Sequence, residues 1–146
     1  MQPDPAHRAI SSLQRLSEAF STRRQQLAAE AGLTEAQWRV LEEVSGEDFL
    51  PSMFARQRAI TAAAVSRTLR QLSDLGFVKS TIGTSDGRQR RYQVTAKGQR
   101  AMKKIHQARE HAVGAVWITL SSKDLTAFTR LSEHLAEHLE QYAAQR

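Results

Sequence analysis

Along most of the chain apolar residues recur at intervals of three and four, the period of a helix with one buried face. From about His7 to Glu30 the marks are Ile10, Leu13, Leu16, Phe20 and Leu27, and Gly32 supplies the stop. Thr34 opens a second helix. Gln37 is its capping-box partner three residues on, and Val40, Leu41 and Val44 form its apolar face, with Trp38 one turn before Leu41. Residues 45–51 read as a loop punctuated by Gly46 and Pro51, and residues 52–59 as a short helix. Thr61 is the N-cap of the next helix, where Val65, Leu69 and Leu72 fall at i, i+4 and i+7 before Gly76 ends it.

At Phe77 the period changes. Residues 77–82 and 90–94 alternate as strands do, around a turn at 83–87 that contains Thr84, Ser85 and Asp86. Thr95 then opens a long helix to about Ile118, with Ile105, Ala108, Ala112 and Val116 on one face. Ser121 starts the last helix and Asp124 completes its capping box. Leu125, Phe128, Leu131, Leu135, Leu139 and Tyr142 form a long stripe on it. The pattern predicts an α+β fold that is mostly α. Two short helices joined by a tight turn and followed by a hairpin make a winged helix–turn–helix unit over 33–98 of a single 1–146 chain. Helices over 6–31 and 99–146 flank it. Their stripes are too apolar for a monomer surface, so a second copy is expected to cover them and make a homodimer.

Charge sharpens this picture. The chain carries a net charge of +6. Between Arg56 and Arg91 stand eight basic residues, Arg56, Arg58, Arg67, Arg70, Lys79, Arg88, Arg90 and Arg91, against only Asp74 and Asp86. That window therefore holds the whole excess, since the remaining basic and acidic residues cancel. A concentrated basic surface attracts polyanions. Hydrophobic residues make up 40% and charged residues 25%, an ordinary globular mixture, and no apolar run approaches the length of a membrane span. The N-terminal stretch lacks a signal peptide's apolar core, which points to a cytoplasmic protein. Cysteine is absent, so disulfides, thiolate metal sites and thiol switching are excluded.

A helix fits the major groove of duplex DNA, and a hairpin can set arginine on phosphates or in the minor groove. The candidate contacts on the helix are Thr61, Ala63, Ser66, Arg67, Arg70 and Gln71. Those on the hairpin are Asp86, Arg88, Arg90 and Arg91. Arginine pairs bidentately with guanine and glutamine with adenine, whereas Ala62, Ala63 and Ala64 can touch a thymine methyl but cannot hydrogen-bond a base.

These segments resemble the multiple-antibiotic-resistance regulator (MarR) family. LTEAQWRVL (Leu33 to Leu41) is similar to its second helix, AVSRTLRQLSDLGFV (Ala64 to Val78) to its recognition helix, and SDGRQRRYQVTAKG (Ser85 to Gly98) to its wing. The wing carries the Asp-x-Arg signature at Asp86 and Arg88, and the Leu-Thr-x-x-Gly ending as Val94, Thr95 and Gly98. The resemblance implies a two-fold dimer on a roughly palindromic operator. It also implies repression relieved by a small phenolic or other aromatic acid bound between the dimer layer and the winged domain. Ser66 and Arg67 match positions the family uses on DNA, Arg88 its wing-tip arginine, and Asp86 the carboxylate that positions arginine in the wing.

Other readings stand beside this one. A non-specific architectural nucleic-acid-binding protein and a protein-interaction module that keeps the fold are the alternatives. Trp38 and Phe54 are candidates to line an effector site, although such residues are more often core. His134-Leu135-Ala136-Glu137-His138 spells the His-x-x-Glu-His pattern of some zinc proteases. A zinc enzyme needs a third protein ligand and a cleft, so no catalytic metal site is expected. No cofactor is expected, and no nucleophile elbow, phosphate loop or dinucleotide fingerprint occurs.

Overall fold

The computed structural model describes residues 4–46, 49–82 and 90–146. Along the chain run α1 (Pro5–Glu30), α2 (Glu35–Val44), α3 (Pro51–Gln57), α4 (Ala62–Asp74), β1 (Val78–Ile82), β2 (Arg90–Val94), α5 (Ala96–Ala115), a 3-10 turn (Trp117–Thr119) and α6 (Ser122–Ala144). The strands pair antiparallel, from Val78 opposite Val94 to Ile82 opposite Arg90. The expected turn at 83–87 lies outside the described residues. The chain divides into two units, Met1–Gln107 and Ala108–Arg146.

The first unit holds a core in which Trp38, Leu41, Val65 and Leu72 are the largest fully buried side chains. Each contributes about 1.5–3 kcal/mol on leaving water. Val65, Leu69 and Leu72, the narrow stripe of α4, are all buried, Ala64 and Thr68 beside them are half-buried, and the opposite side of α4 faces outward. Phe77 and Val78 carry the core into the first strand, and Ala101 and Ile105 close it from α5. Three helices end in the same way. In each, one residue takes a left-handed φ, its N–H and the next one return to the last turn, and the chain turns away. Gly32 (φ 79°) does this after α1 and Gly76 (φ 82°) after α4, but Ala59 (φ 52°) does it after α3. The Ile60 N–H reaches Ala55 O at 3.0 Å and the Ala59 N–H reaches Arg56 O at 3.3 Å.

In the second unit the Trp117 and Phe128 rings meet at 6.4 Å. No residue of α6 is buried, and Leu131, Leu135, Leu139 and Tyr142 lie open along one side. In the first unit α1 buries only Leu27 and Ala28, leaving Ile10, Leu13, Leu16 and Phe20 exposed. One boundary departs from the sequence reading: α5 stops at Ala115 rather than near Ile118. Val116, Ile118 and Thr119 are β-branched and resist a further helical turn. The Thr119 hydroxyl donates instead to Val116 O at 2.6 Å. Among the described residues no helix is long and apolar enough to cross a membrane.

Candidate nucleic-acid interface

The turn from α3 to α4 aims the basic helix. Thr61 caps α4, its hydroxyl accepting the Ala64 N–H at 3.1 Å. That bond satisfies one of the orphan donors at the helix start. Below, Gln37 ties α4 to α2. Its side-chain oxygen accepts the Thr34 N–H at 3.0 Å, closing the capping box, and its amide donates to Gln71 Oε1 at 3.1 Å. Gln37 is buried, so both bonds offset the cost of placing an amide there. The sequence marks Gln37 only as a capping partner. Its second bond leaves no periodic signal, because it depends on how α2 crosses α4.

Ser66, Arg67, Arg70 and Gln71 are all exposed on α4, opposite the buried stripe. Thr61 and Ala63 are exposed at its start. Among the described residues Arg67 and Arg70 form no ion pair, whereas Gln71 is held by Gln37. Among the described residues α4 therefore presents two guanidinium groups without an ion partner and a hydroxyl on one helical face. Arg90 and Arg91 are exposed on β2, also without an ion pair among the described residues. Asp86 and Arg88 lie outside the described residues.

The base of the hairpin is fixed by Thr95. Its N–H donates to Phe77 O at 3.0 Å, and its hydroxyl donates to Gly76 O at 2.5 Å while accepting the Gly98 N–H at 3.2 Å. Lys97 Nζ donates to Leu75 O at 2.6 Å and stands 4.7 Å from the centre of the Phe77 ring. An ammonium group at the end of α4 meets the negative end of that helix's dipole. Lys104 makes the same kind of contact with Glu30 O, at the end of α1, at 2.8 Å. The carbonyl partners of these two lysines lie 22 and 74 residues away in sequence.

Trp38 is 1% exposed, with the Arg24 guanidinium 4.5 Å from its ring centre. Arg24 Nε also donates to Glu35 Oε1 at 2.8 Å, and Arg39 donates to the same oxygen at 3.0 Å. The hydrogen bond from Arg24, joined by that from Arg39, holds the Glu35 carboxyl below its ordinary pKa against the opposing pull of desolvation. Phe54 is buried too, 6.1 Å from the Phe49 ring, which meets Tyr92 of β2 edge-on at 6.2 Å. Trp38 and Phe54 are thus core side chains in this unit.

A groove of about 1100 Å³ follows β2, with Phe49, Tyr92, Lys79, Arg90 and Arg91 along it. A smaller hollow of about 340 Å³ has Leu75 and Phe77 on its apolar wall, Lys97, Arg100 and Lys104 as its cations, and Glu30 as its one acidic residue. Among the described residues, neither the groove along β2 nor the hollow beside Phe77 is lined by Trp38 or Phe54.

Residues 31–89 match the family model described as MarR family. No curated protein matches the chain by sequence. Among solved structures, a MarR family transcription regulator is 18% identical with a TM-score of 0.86, covering 97% of this chain and 94% of its own. MarR from Staphylococcus aureus, in complex with salicylate and kanamycin, is 15% identical with a TM-score of 0.79, covering 93% of each chain. A MepR variant from S. aureus bound to an oligodeoxyribonucleotide is 14% identical with a TM-score of 0.65, covering 90% of this chain and 97% of its own.

Proposed function

We propose that this chain, which carries a MarR family region at residues 31–89 and has the winged-helix fold of MarR family transcription regulators, is a DNA-binding regulator rather than an enzyme. In this reading it acts as a homodimeric repressor on a pseudo-palindromic operator. The observation that carries it is the outward face of α4, where Ser66, Arg67 and Arg70 stand exposed above a rigid core. Arg90 and Arg91 add two exposed cations on β2. Two recognition helices on a two-fold dimer would enter major grooves about one helical turn apart, roughly 34 Å. The exposed stripes of α1 and α6 support the dimer, since apolar surface of that extent is stabilised by burial against a second copy.

The second part of the proposal is release by a small aromatic acid. The hollow beside Phe77 supports it, because an apolar wall next to Arg100 and two lysines suits a ring bearing a carboxylate. The salicylate in S. aureus MarR is a ligand of that class.

The test is a fluorescence-anisotropy titration of the chain's own upstream DNA against scrambled duplex of equal length at two salt concentrations. Tighter, salt-dependent binding to the native DNA is expected. Arg67→Ala should weaken specific binding by about 1–3 kcal/mol and relax the preference. Arg91→Ala should weaken all duplexes alike and lower the salt slope by about 0.9. Equal binding to both duplexes would favour the architectural reading, which the three alanines opening α4 also suit. No binding would leave the interaction-module reading.

A further inference from the structure

One motif is not absorbed by DNA binding. His134 and His138 stand on the exposed surface of α6, four residues apart in an uninterrupted helix, and their ring centres are 4.1 Å apart. Side chains at i and i+4 share one helical side, so the two imidazoles face the same volume of solvent. The surrounding charge suits a cation. Within one turn of the pair along α6 stand Glu133, Glu137 and Glu140 against a single cation, Arg130, although the whole chain is strongly basic.

We propose that His134 and His138 form a two-imidazole chelate for a borderline divalent transition-metal ion, of the class of Cu²⁺, Ni²⁺ and Zn²⁺. Imidazole nitrogen bonds such ions at about 2.0–2.1 Å, and neighbouring rings on one helical face reach a shared ion by small side-chain rotations. Water completes the coordination, because both rings are open to solvent and no third ligand converges among the described residues. That separates the site from a closed structural zinc site and from a catalytic one, each of which takes more protein ligands. Copper should bind most tightly of the three, following the usual order for nitrogen ligands. The chelate exists only while α6 is helical, so occupancy stabilises the folded chain by linkage. The pair also borders the stripe of Leu131, Leu135 and Leu139, so a bound ion adds positive charge at the edge of that apolar surface.

The experiment is a calorimetric titration of the full chain with Cu²⁺ and with Ni²⁺, beside His134→Ala, His138→Ala and the control His106→Ala. The expected result is one ion per chain, affinity lowered by about tenfold or more in either α6 variant, and no change in the control. With Cu²⁺, electron paramagnetic resonance should show coupling to two nitrogens in the wild type and to one in each single variant. Both α6 variants should keep the wild-type melting temperature in chelator, since the positions are exposed. Absence of binding, or binding that persists unchanged in both α6 variants, overturns the proposal.

Discussion

Replacing Gly98 with alanine should destabilise the chain, although alanine is the better helix former. Gly98 is the third residue of α5, and an added β-carbon there would overlap the Phe77 carbonyl oxygen and lie 2.5 Å from Val94 Cγ1. Ordinary contact between carbon atoms begins near 3.5 Å, so the deficit is about 1 Å. The carbonyl cannot simply withdraw, because Phe77 O accepts the Thr95 N–H and anchors the base of the hairpin. Overpacking of this kind costs about 1–3 kcal/mol. Loss of the Thr95 bond adds about 1 kcal/mol. Exchanging glycine for alanine in a helix returns about 1 kcal/mol. The net is a loss of about 2 kcal/mol, which lowers the melting temperature by roughly 4–8 °C for a chain of this size. Differential scanning calorimetry at fixed protein concentration reads it directly. A melting temperature equal to or above wild type would show that the glycine does not answer to close approach, and would refute the reasoning.

Three other outcomes follow from the same structure. Ala59→Gly should stabilise the chain by about 0.5–1 kcal/mol, read as a higher denaturation midpoint, because glycine removes the left-handed strain that alanine carries after α3. The Glu35 carboxyl is held below its ordinary value of 4.5 in the fold, so its stabilisation is present above that pH and lost as pH falls through the lowered value. Glu35→Gln should therefore flatten the fall in stability on acidification below about pH 4.5, measured by urea unfolding across pH. Leu131→Asp with Leu135→Asp should shift the chain from dimer to monomer in sedimentation velocity and weaken operator binding, while circular dichroism keeps its helical signal.

Where the fold was legible, the signal was local. The stop at Gly32, the capping box of Thr34 and Gln37, the cap at Thr61 and the change of period at Phe77 all depend on residues within a turn of one another. Val65, Leu69 and Leu72 marked the buried side of α4 and, by difference, the face that carries Arg67 and Arg70. The ending of α3 gave no such signal, because its left-handed residue is alanine. Trp38 suggested a ligand wall from its chemistry alone, but the crossing of α1 and α2 puts Arg24 over it and seals it into the core. The lysine contacts to helix ends, and the bond from Gln37 to Gln71, join segments distant in sequence. No period or spacing encodes such pairs. The wing-tip reading of Asp86 and Arg88 falls outside the described residues and rests on the resemblance.

The two elements that carry the exposed arginines are held differently from the arginines themselves. The backbone of α4 is fixed by Thr61 at its start, by Gln37 beneath it and by Lys97 at its end, and β2 runs into the junction made by Thr95. Arg67, Arg70, Arg90 and Arg91 project from these supports without ion partners among the described residues. A rigid support lowers the ordering cost of binding, while free guanidinium groups keep their full charge for a polyanion. Under the proposed function the two contributions separate. Loosening a support, as in Gly98→Ala, should reduce discrimination between native and scrambled DNA and leave the salt slope unchanged, because every cation remains. Removing an arginine that contacts phosphate should reduce the slope and leave discrimination nearly unchanged. If both kinds of substitution moved both quantities together, geometry and charge would not be independent here, and affinity would follow the amount of folded protein rather than the architecture of the site.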